Sequence, residues 1–147
     1  MYFEGTVEIL APREKVWKFL TNADFVAKCA PGLKEMEILV PNEKYFVVAK
    51  IDFGSVAAVF KTDVTFQETK EPDFVAVKAH GDTLESAIDA TSQMFLSDGV
   101  DGTTELKWTA DIVIVGKIAS IASRMMTSVT KKLANQFFEC FKNQIEV

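Results

Sequence analysis

A chain of 147 residues, 48% hydrophobic and 25% charged, reads as one ordered globular domain over residues 1–147 with a single sizeable core. Disordered and collagen-like classes drop out on composition. A formal net charge of −5 with no Lys/Arg cluster would repel a phosphate backbone, so nucleic-acid binding drops out as well.

Taken in chain order, the first element is a strand. Phe3, Gly5, Val7 and Ile9 alternate with Glu4, Thr6 and Glu8, the period of a half-buried strand. No basic and apolar leader stands before it. Pro12 then sets a helix start, and Val16, Trp17, Phe19 and Leu20 make one apolar face that fades at Thr21-Asn22. A second short helix, from about Asp24 to Cys29, is stopped by Pro31-Gly32.

Six strand-like runs follow, over 33–40, 44–53, 56–69, 74–80, 86–97 and 103–115. Turn signals separate them at Pro41 to Glu43, Phe53 to Ser55, Lys70 to Asp73, His80 to Asp82 and Asp98 to Gly102. Connections this short favour antiparallel neighbours. Alternation then assigns an inner face: Tyr45, Val47, Ala49, Ile51 and Phe53 on one strand, and Ala58, Phe60, Val64 and Phe66 on the next. Ile88, Ala90 and Met94, then Leu106, Trp108, Ala110, Ile112 and Ile114, continue it on later strands. Asp52, Asp63, Asp89 and Asp111 fall on the opposite, solvated face.

The longest apolar stretch, 108–126, is cut by Asp111, Lys117 and Arg124, so it is no bilayer-spanning helix, which needs about 20 largely apolar residues. It reads as the last strand, a corner at Gly116 and the start of a helix. Beyond that corner the period changes to about 100° per residue. Ile118, Ala122, Met125, Met126, Val129, Leu133, Phe137 and Cys140 share one face, opposite Ser120, Arg124, Lys131, Asn135 and Lys142. Phe138, Phe141 and Ile145 fall off that face. They either pack on the first strand and the short helices or form a partner surface such as a homodimer contact.

The expected fold class is α+β: a seven-stranded curved antiparallel sheet around a long C-terminal helix, with two short helices after the first strand. One helix is about 10 Å wide and cannot fill a wide curved sheet along its whole length, so a hollow is expected. Ile51, Phe53, Phe60, Val64, Ile88, Ala90, Met94, Trp108, Ala110 and Ile112 are the candidate ligand residues of the sheet. Ala122, Met125, Met126 and Val129 are those of the helix, with small side chains and adaptable methionines among large ones.

Support for catalysis is thin. His80 is the only histidine, which excludes three-histidine metal ligation, and no Ser/His/Asp or Cys/His set is visible. No metal and no cofactor is expected. His80 reads as a surface or hydrogen-bonded structural residue. Cys29 and Cys140 read as buried thiols rather than a disulfide, which fits a cytoplasmic location.

The element order resembles the helix-grip fold of the START and Bet v 1-like superfamily, and the chain looks like the carbon monoxide dehydrogenase CoxG family within it. Four stretches carry the resemblance: Pro12 to Leu20, Cys29-Ala30-Pro31-Gly32, Trp108 to Asp111 leading into Val115 to Ala119, and Gln136-Phe137-Phe138. It implies an apolar cavity for a lipid or quinone-like ligand, in a non-catalytic accessory protein of a molybdenum hydroxylase of the carbon monoxide dehydrogenase type. Contact with the inner face of the membrane is part of that implication. Two alternatives stay open: a helix-grip enzyme, cyclase or hydrolase-like, acting on an apolar substrate, and a protein-binding assembly chaperone with a filled core.

Overall fold

A computed structural model describes residues 1–146; Val147, the last residue of the expected domain, lies outside them. The elements run β1 (Tyr2–Ile9), α1 (Arg13–Leu20), α2 (Ala23–Cys29), β2 (Leu33–Val40), β3 (Lys44–Phe53), β4 (Val56–Lys70), β5 (Phe74–Thr83), β6 (Ser86–Asp98), β7 (Thr104–Gly116) and α3 (Ala119–Ile145). All seven strands form one antiparallel sheet in the order β1-β7-β6-β5-β4-β3-β2, so β1 and β2 are its edges. This is the expected helix-grip architecture.

Register carries the alternation of single strands across the sheet. Tyr45 pairs with Val64, Val64 with Ala79, Ala79 with Ala90 and Ala90 with Ile112, one inward row through five strands. The row Phe66, Val77, Ser92, Ala110, Phe3 runs beside it. Asp52, Asp63, Asp89 and Asp111 are all exposed on the other face, as alternation requires.

Two packed clusters flank the middle of the inner face. In the first, Val16, Trp17 and Leu20 of α1, Phe25 and Cys29 of α2, and Phe138, Phe141 and Ile145 of α3 bury against Ile9, Leu96 and Leu106. Phe138, Phe141 and Ile145 are therefore core, at 7%, 0% and 1% exposure, and the alternative of a partner surface there falls away. They leave the main face of α3 because the short helices wrap its far end from a second side. In the other cluster, Ala122, Met126 and Val129 of α3 pack on Phe53, Ala58, Phe60 and Ile112.

Two expectations need correction. The turn expected at His80 to Asp82 is absent: β5 continues to Thr83, and Gly81 pairs with both Thr62 and Ile88. A Cβ at Gly81 would come within 2.9 Å of Thr62 Oγ1 and 3.0 Å of Ile88 Cγ2, so this glycine permits close approach inside a strand rather than a turn. The second concerns the cysteines, which are not separate thiols. Cys29 and Cys140 form a disulfide across a Cα–Cα distance of 5.4 Å and a sequence separation of 111. The long separation concealed that the end of α2 and the last third of α3 lie side by side.

The corner expected at Gly116 holds. Its φ is +99°, and a Cβ there would overlap the carbonyl oxygen of Glu85. Next to it, Lys117 N donates to Glu85 O (2.9 Å) and Ile118 N donates to Ser86 Oγ (3.0 Å), locking the strand-to-helix turn onto the β5–β6 hairpin. Gly116→Ala is expected to cost about 1–3 kcal/mol in urea unfolding, because the strained φ and the overlap act together. An unchanged urea midpoint would show that the corner relaxes freely.

Candidate functional site

Between α2 and the β2–β5 half of the sheet lies a cavity of about 390 Å³. Its sheet wall is the inward row of β3 and β4, namely Tyr45, Val47, Ala49, Val64 and Phe66, continued by Val75, Val77, Ser92 and Met94. Opposite stand Ala23, Val26 and Ala27 of α2, with Leu20 and Thr21 before the helix and Ala30 and Pro31 after it. Leu33 and Met36 of the edge strand and Phe137 of α3 complete the lining. The space exists because α2 faces the sheet with alanines and one valine. Its one aromatic side chain, Phe25, turns instead into the first cluster, tilted against Phe19 at 4.4 Å and edge-on to Phe141 at 5.4 Å between ring centroids.

Among the described residues the lining contains no carboxylate, amine, guanidinium, imidazole or thiol, and only three hydroxyls. Two of these have committed donors: Thr21 Oγ1 donates to the Trp17 carbonyl (2.8 Å) and Ser92 Oγ to the Thr109 carbonyl (2.9 Å). Tyr45 Oη accepts from the Asn42 backbone N–H (3.1 Å), and its ring packs against Phe66 at 5.7 Å. Such a space rewards burial of apolar surface, at about 25 cal/mol per Å², and offers nothing to neutralise a charge.

Of the fourteen expected ligand residues, Val64 and Met94 line this cavity. Ile51, Phe53, Phe60, Ile88, Ala90, Ala110 and Ile112 of the sheet lie in the second packed cluster, as do Ala122, Met125, Met126 and Val129 of α3. There the first half of the helix presses directly onto the strands. Trp108 packs instead on the first cluster and covers Gly5, where a Cβ would lie 2.7 Å from the indole nitrogen. The vacant space thus sits beside the helix, toward β2, rather than beneath it. The α2 residues carried a readable signal, the small series Ala23, Ala27 and Ala30 at helical spacing. Nothing in the chain said that this helix would face β3 and β4.

The ionisable residues weighed for catalysis lie elsewhere. His80 sits on the outer face with 43% of its side chain exposed, Nδ1 2.7 Å from Asp89 and Nε2 3.1 Å from Asp82. The hydrogen bond to Asp89 raises its pKa above the ordinary histidine value; desolvation opposes it, and the charges of both carboxylates and the bond to Asp82 add to the net rise. The folded chain therefore favours the protonated ring. The stability this contributes is fully present below about pH 6.5 and is lost as pH rises through the raised folded-state value. Solvent screening keeps the effect small. An NMR titration of His80 should show a midpoint above that of a histidine peptide, and His80→Gln should abolish the acid-side gain in stability; an unshifted midpoint would contradict the pair. No group of three or more metal-ligating side chains occurs among the described residues, and no helix of theirs is long and apolar enough to cross a membrane.

Comparison with known proteins agrees with this geometry. The chain is similar to a conserved protein from Geobacillus kaustophilus at 25% identity, with a TM-score of 0.91 over 99% of this chain and 95% of that one. The ZhuI aromatase/cyclase from Streptomyces sp. R1128 shares the fold at 17% identity (TM-score 0.74, 99% and 93% covered). So does a START superfamily protein from Mycobacterium smegmatis at 12% identity (TM-score 0.72, 99% and 97% covered). No curated protein matches. The family model for CoxG, of carbon monoxide dehydrogenase, matches residues 5–146, and with that match over a helix-grip fold and an apolar cavity, the chain belongs to the CoxG family.

Proposed function

We propose that this protein is a non-catalytic carrier for an uncharged hydrophobic small molecule, lipid or quinone-like, and acts as an accessory to a molybdenum hydroxylase of the carbon monoxide dehydrogenase type. The observation that carries the reading is the cavity of about 390 Å³ with its nearly unbroken apolar lining. At about 30 Å³ per water, the space corresponds to roughly thirteen water molecules, room for a short alkyl or isoprenoid segment. About eight buried methylenes at ~0.8 kcal/mol each would supply about 6 kcal/mol, an affinity of tens of micromolar before ordering costs. A charged head group would stay outside, since no side chain in the lining could pair with it. Val64 and Met94 are proposed ligand contacts together with Ala27, Ala49 and Phe137, while the cluster around Phe53 and Met126 contributes no residue to the lining.

The family membership supports the accessory role, carried out as a single domain over residues 1–147 with peripheral membrane contact, while the Cys29–Cys140 disulfide removes the free thiols on which the expected cytoplasmic location rested. An enzyme acting on an apolar substrate would need an ionisable group in the cavity with a shifted pKa. Asp52, Asp63, Asp89, Asp111 and His80 all lie outside it.

Native mass spectrometry of protein purified from its own host should reveal a bound lipophile. A decyl-substituted benzoquinone at 100 times its Kd should stabilise the fold by about 2.7 kcal/mol. Absence of a co-purified lipophile together with an unmoved melting curve would overturn the carrier reading.

A further inference from the structure

The wall of the cavity formed by α2 is held by little besides a covalent bond. α2 has seven residues, below the roughly 12–15 at which an isolated helix becomes even marginally stable. The side it turns to the cavity is alanine and valine, which in a partly vacant space bury little. Its noncovalent anchor is Phe25 in the aromatic cluster, in the first half of the helix, where Asn22 Oδ1 caps the helix by accepting from Phe25 N (3.1 Å). Past the helix, Gly32 O accepts from Lys50 N of β3 (2.9 Å), which fixes the chain at Gly32. The second half, with cavity residues Val26 and Ala27, ends at Cys29 and is followed by cavity residues Ala30 and Pro31 and by Gly32, the last at φ +76°.

The disulfide fastens that second half. On α2, Cys29 lies one helical turn from Val26; on α3, Cys140 lies one turn from Phe137, and Val26 and Phe137 both line the cavity. The bond therefore clamps the two walls at their junction. Cys29 is buried at 4% exposure while Cys140 is half-buried, so an attacking thiolate reaches the Cys140 sulfur more readily.

We propose that the Cys29–Cys140 disulfide is a redox-operated latch on the cavity, holding α2 against α3 and the mouth narrow when oxidised, and released by a dithiol reductant. This rests on the carrier reading above. In the opening step a thiolate of the dithiol attacks Sγ of Cys140, the S–S bond breaks, and Cys29 leaves as a thiolate that takes up a proton. The second thiol of the reductant, as thiolate, then attacks the mixed disulfide and releases Cys140. The protein gains two electrons and two protons as two thiols, and the dithiol becomes a disulfide. Freed from α3, the second half of α2 swings on Ala30-Pro31, with Gly32 still bonded to β3, and widens the mouth of the cavity, while Phe25 keeps the first half docked.

The test uses Nile red, an uncharged lipophilic dye, and the full chain. Dye release is followed by stopped-flow fluorescence for oxidised protein, for protein reduced with dithiothreitol, and for Cys140→Ser, with free thiols counted in each. Release about tenfold faster after reduction, reversed on reoxidation and matched by Cys140→Ser with or without reductant, is the expected result. In parallel, hydrogen exchange of the 26–30 amides should quicken by about tenfold on reduction while the sheet amides stay protected. Release rates equal within about twofold between fully thiol-counted states overturn the latch. So does reduction that exposes the sheet amides too, since the bridge would then be a general clamp of the fold. If the dye binds neither form, the carrier reading fails on its own, and the exchange of residues 26–30 alone decides the latch.

Discussion

Replacing Ala49 with phenylalanine is expected to lower the affinity for a decyl-substituted benzoquinone by about 100-fold, roughly 2.8 kcal/mol, while leaving the fold at or above its original stability. Ala49 stands on the inner face of β3, between Leu33 and Phe60 in the register, and its methyl group borders the cavity. A benzyl group on this strand position suits β geometry and extends into vacant space rather than into packed neighbours. The usual penalty for overpacking, about 1–3 kcal/mol, should therefore be largely absent. Calorimetric titration and urea unfolding of one preparation give both quantities. Undiminished binding by a folded variant would place the ligand elsewhere on the molecule.

Phe53→Ala should behave in the opposite way. Phe53 is fully buried at the end of β3 beneath α3, packed in the cluster with Met126 and Val129. Its truncation leaves a void among side chains that cannot collapse, at about 3–5 kcal/mol. For a chain of this size that lowers the melting temperature by about 10–15 °C. Binding, measured where the variant is still folded, should change by less than about threefold, because Phe53 does not line the cavity. A loss of affinity comparable to that of Ala49→Phe would mean that the cluster beneath α3 opens to admit the ligand. The expected ligand set containing Phe53, Ile112 and Met126 would then be the better description of the site. The two substitutions thus separate a residue that bounds a space from one that fills it.

That separation was only half legible in the amino-acid order. Alternation along each strand identified the inner face, and Asp52, Asp63, Asp89 and Asp111 lie on the outer one. Period 2 has a single reading once a strand is recognised, so a local pattern suffices. The same reasoning could not say which inward side chains meet the helix and which meet empty space. Ala49 and Ala90 are both small inward residues, yet Ala49 borders the cavity and Ala90 packs in the cluster with α3. Their difference lies in where α3 crosses the sheet. The crossing is set by the first cluster, in which Trp17, Phe25, Phe138 and Phe141 draw the far end of the helix toward α1 and α2.

By itself the sequence determined the order and type of the elements, the hydrophobic faces of the strands and of most of the long helix, and the corner at Gly116. All of these follow from backbone preferences and periodicities that act over a few residues. Three things were decided only by the tertiary structure. The cavity is displaced toward β2, because α3 fills the sheet on one side and α2 faces it with alanines on the other. Gly81 continues a strand, because its neighbours across the sheet crowd it. Cys29 meets Cys140, because docking α2 onto α3 brings together residues 111 apart in the chain. Each depends on which elements come into contact, and contact between distant elements is a property of the assembled packing that no local pattern encodes.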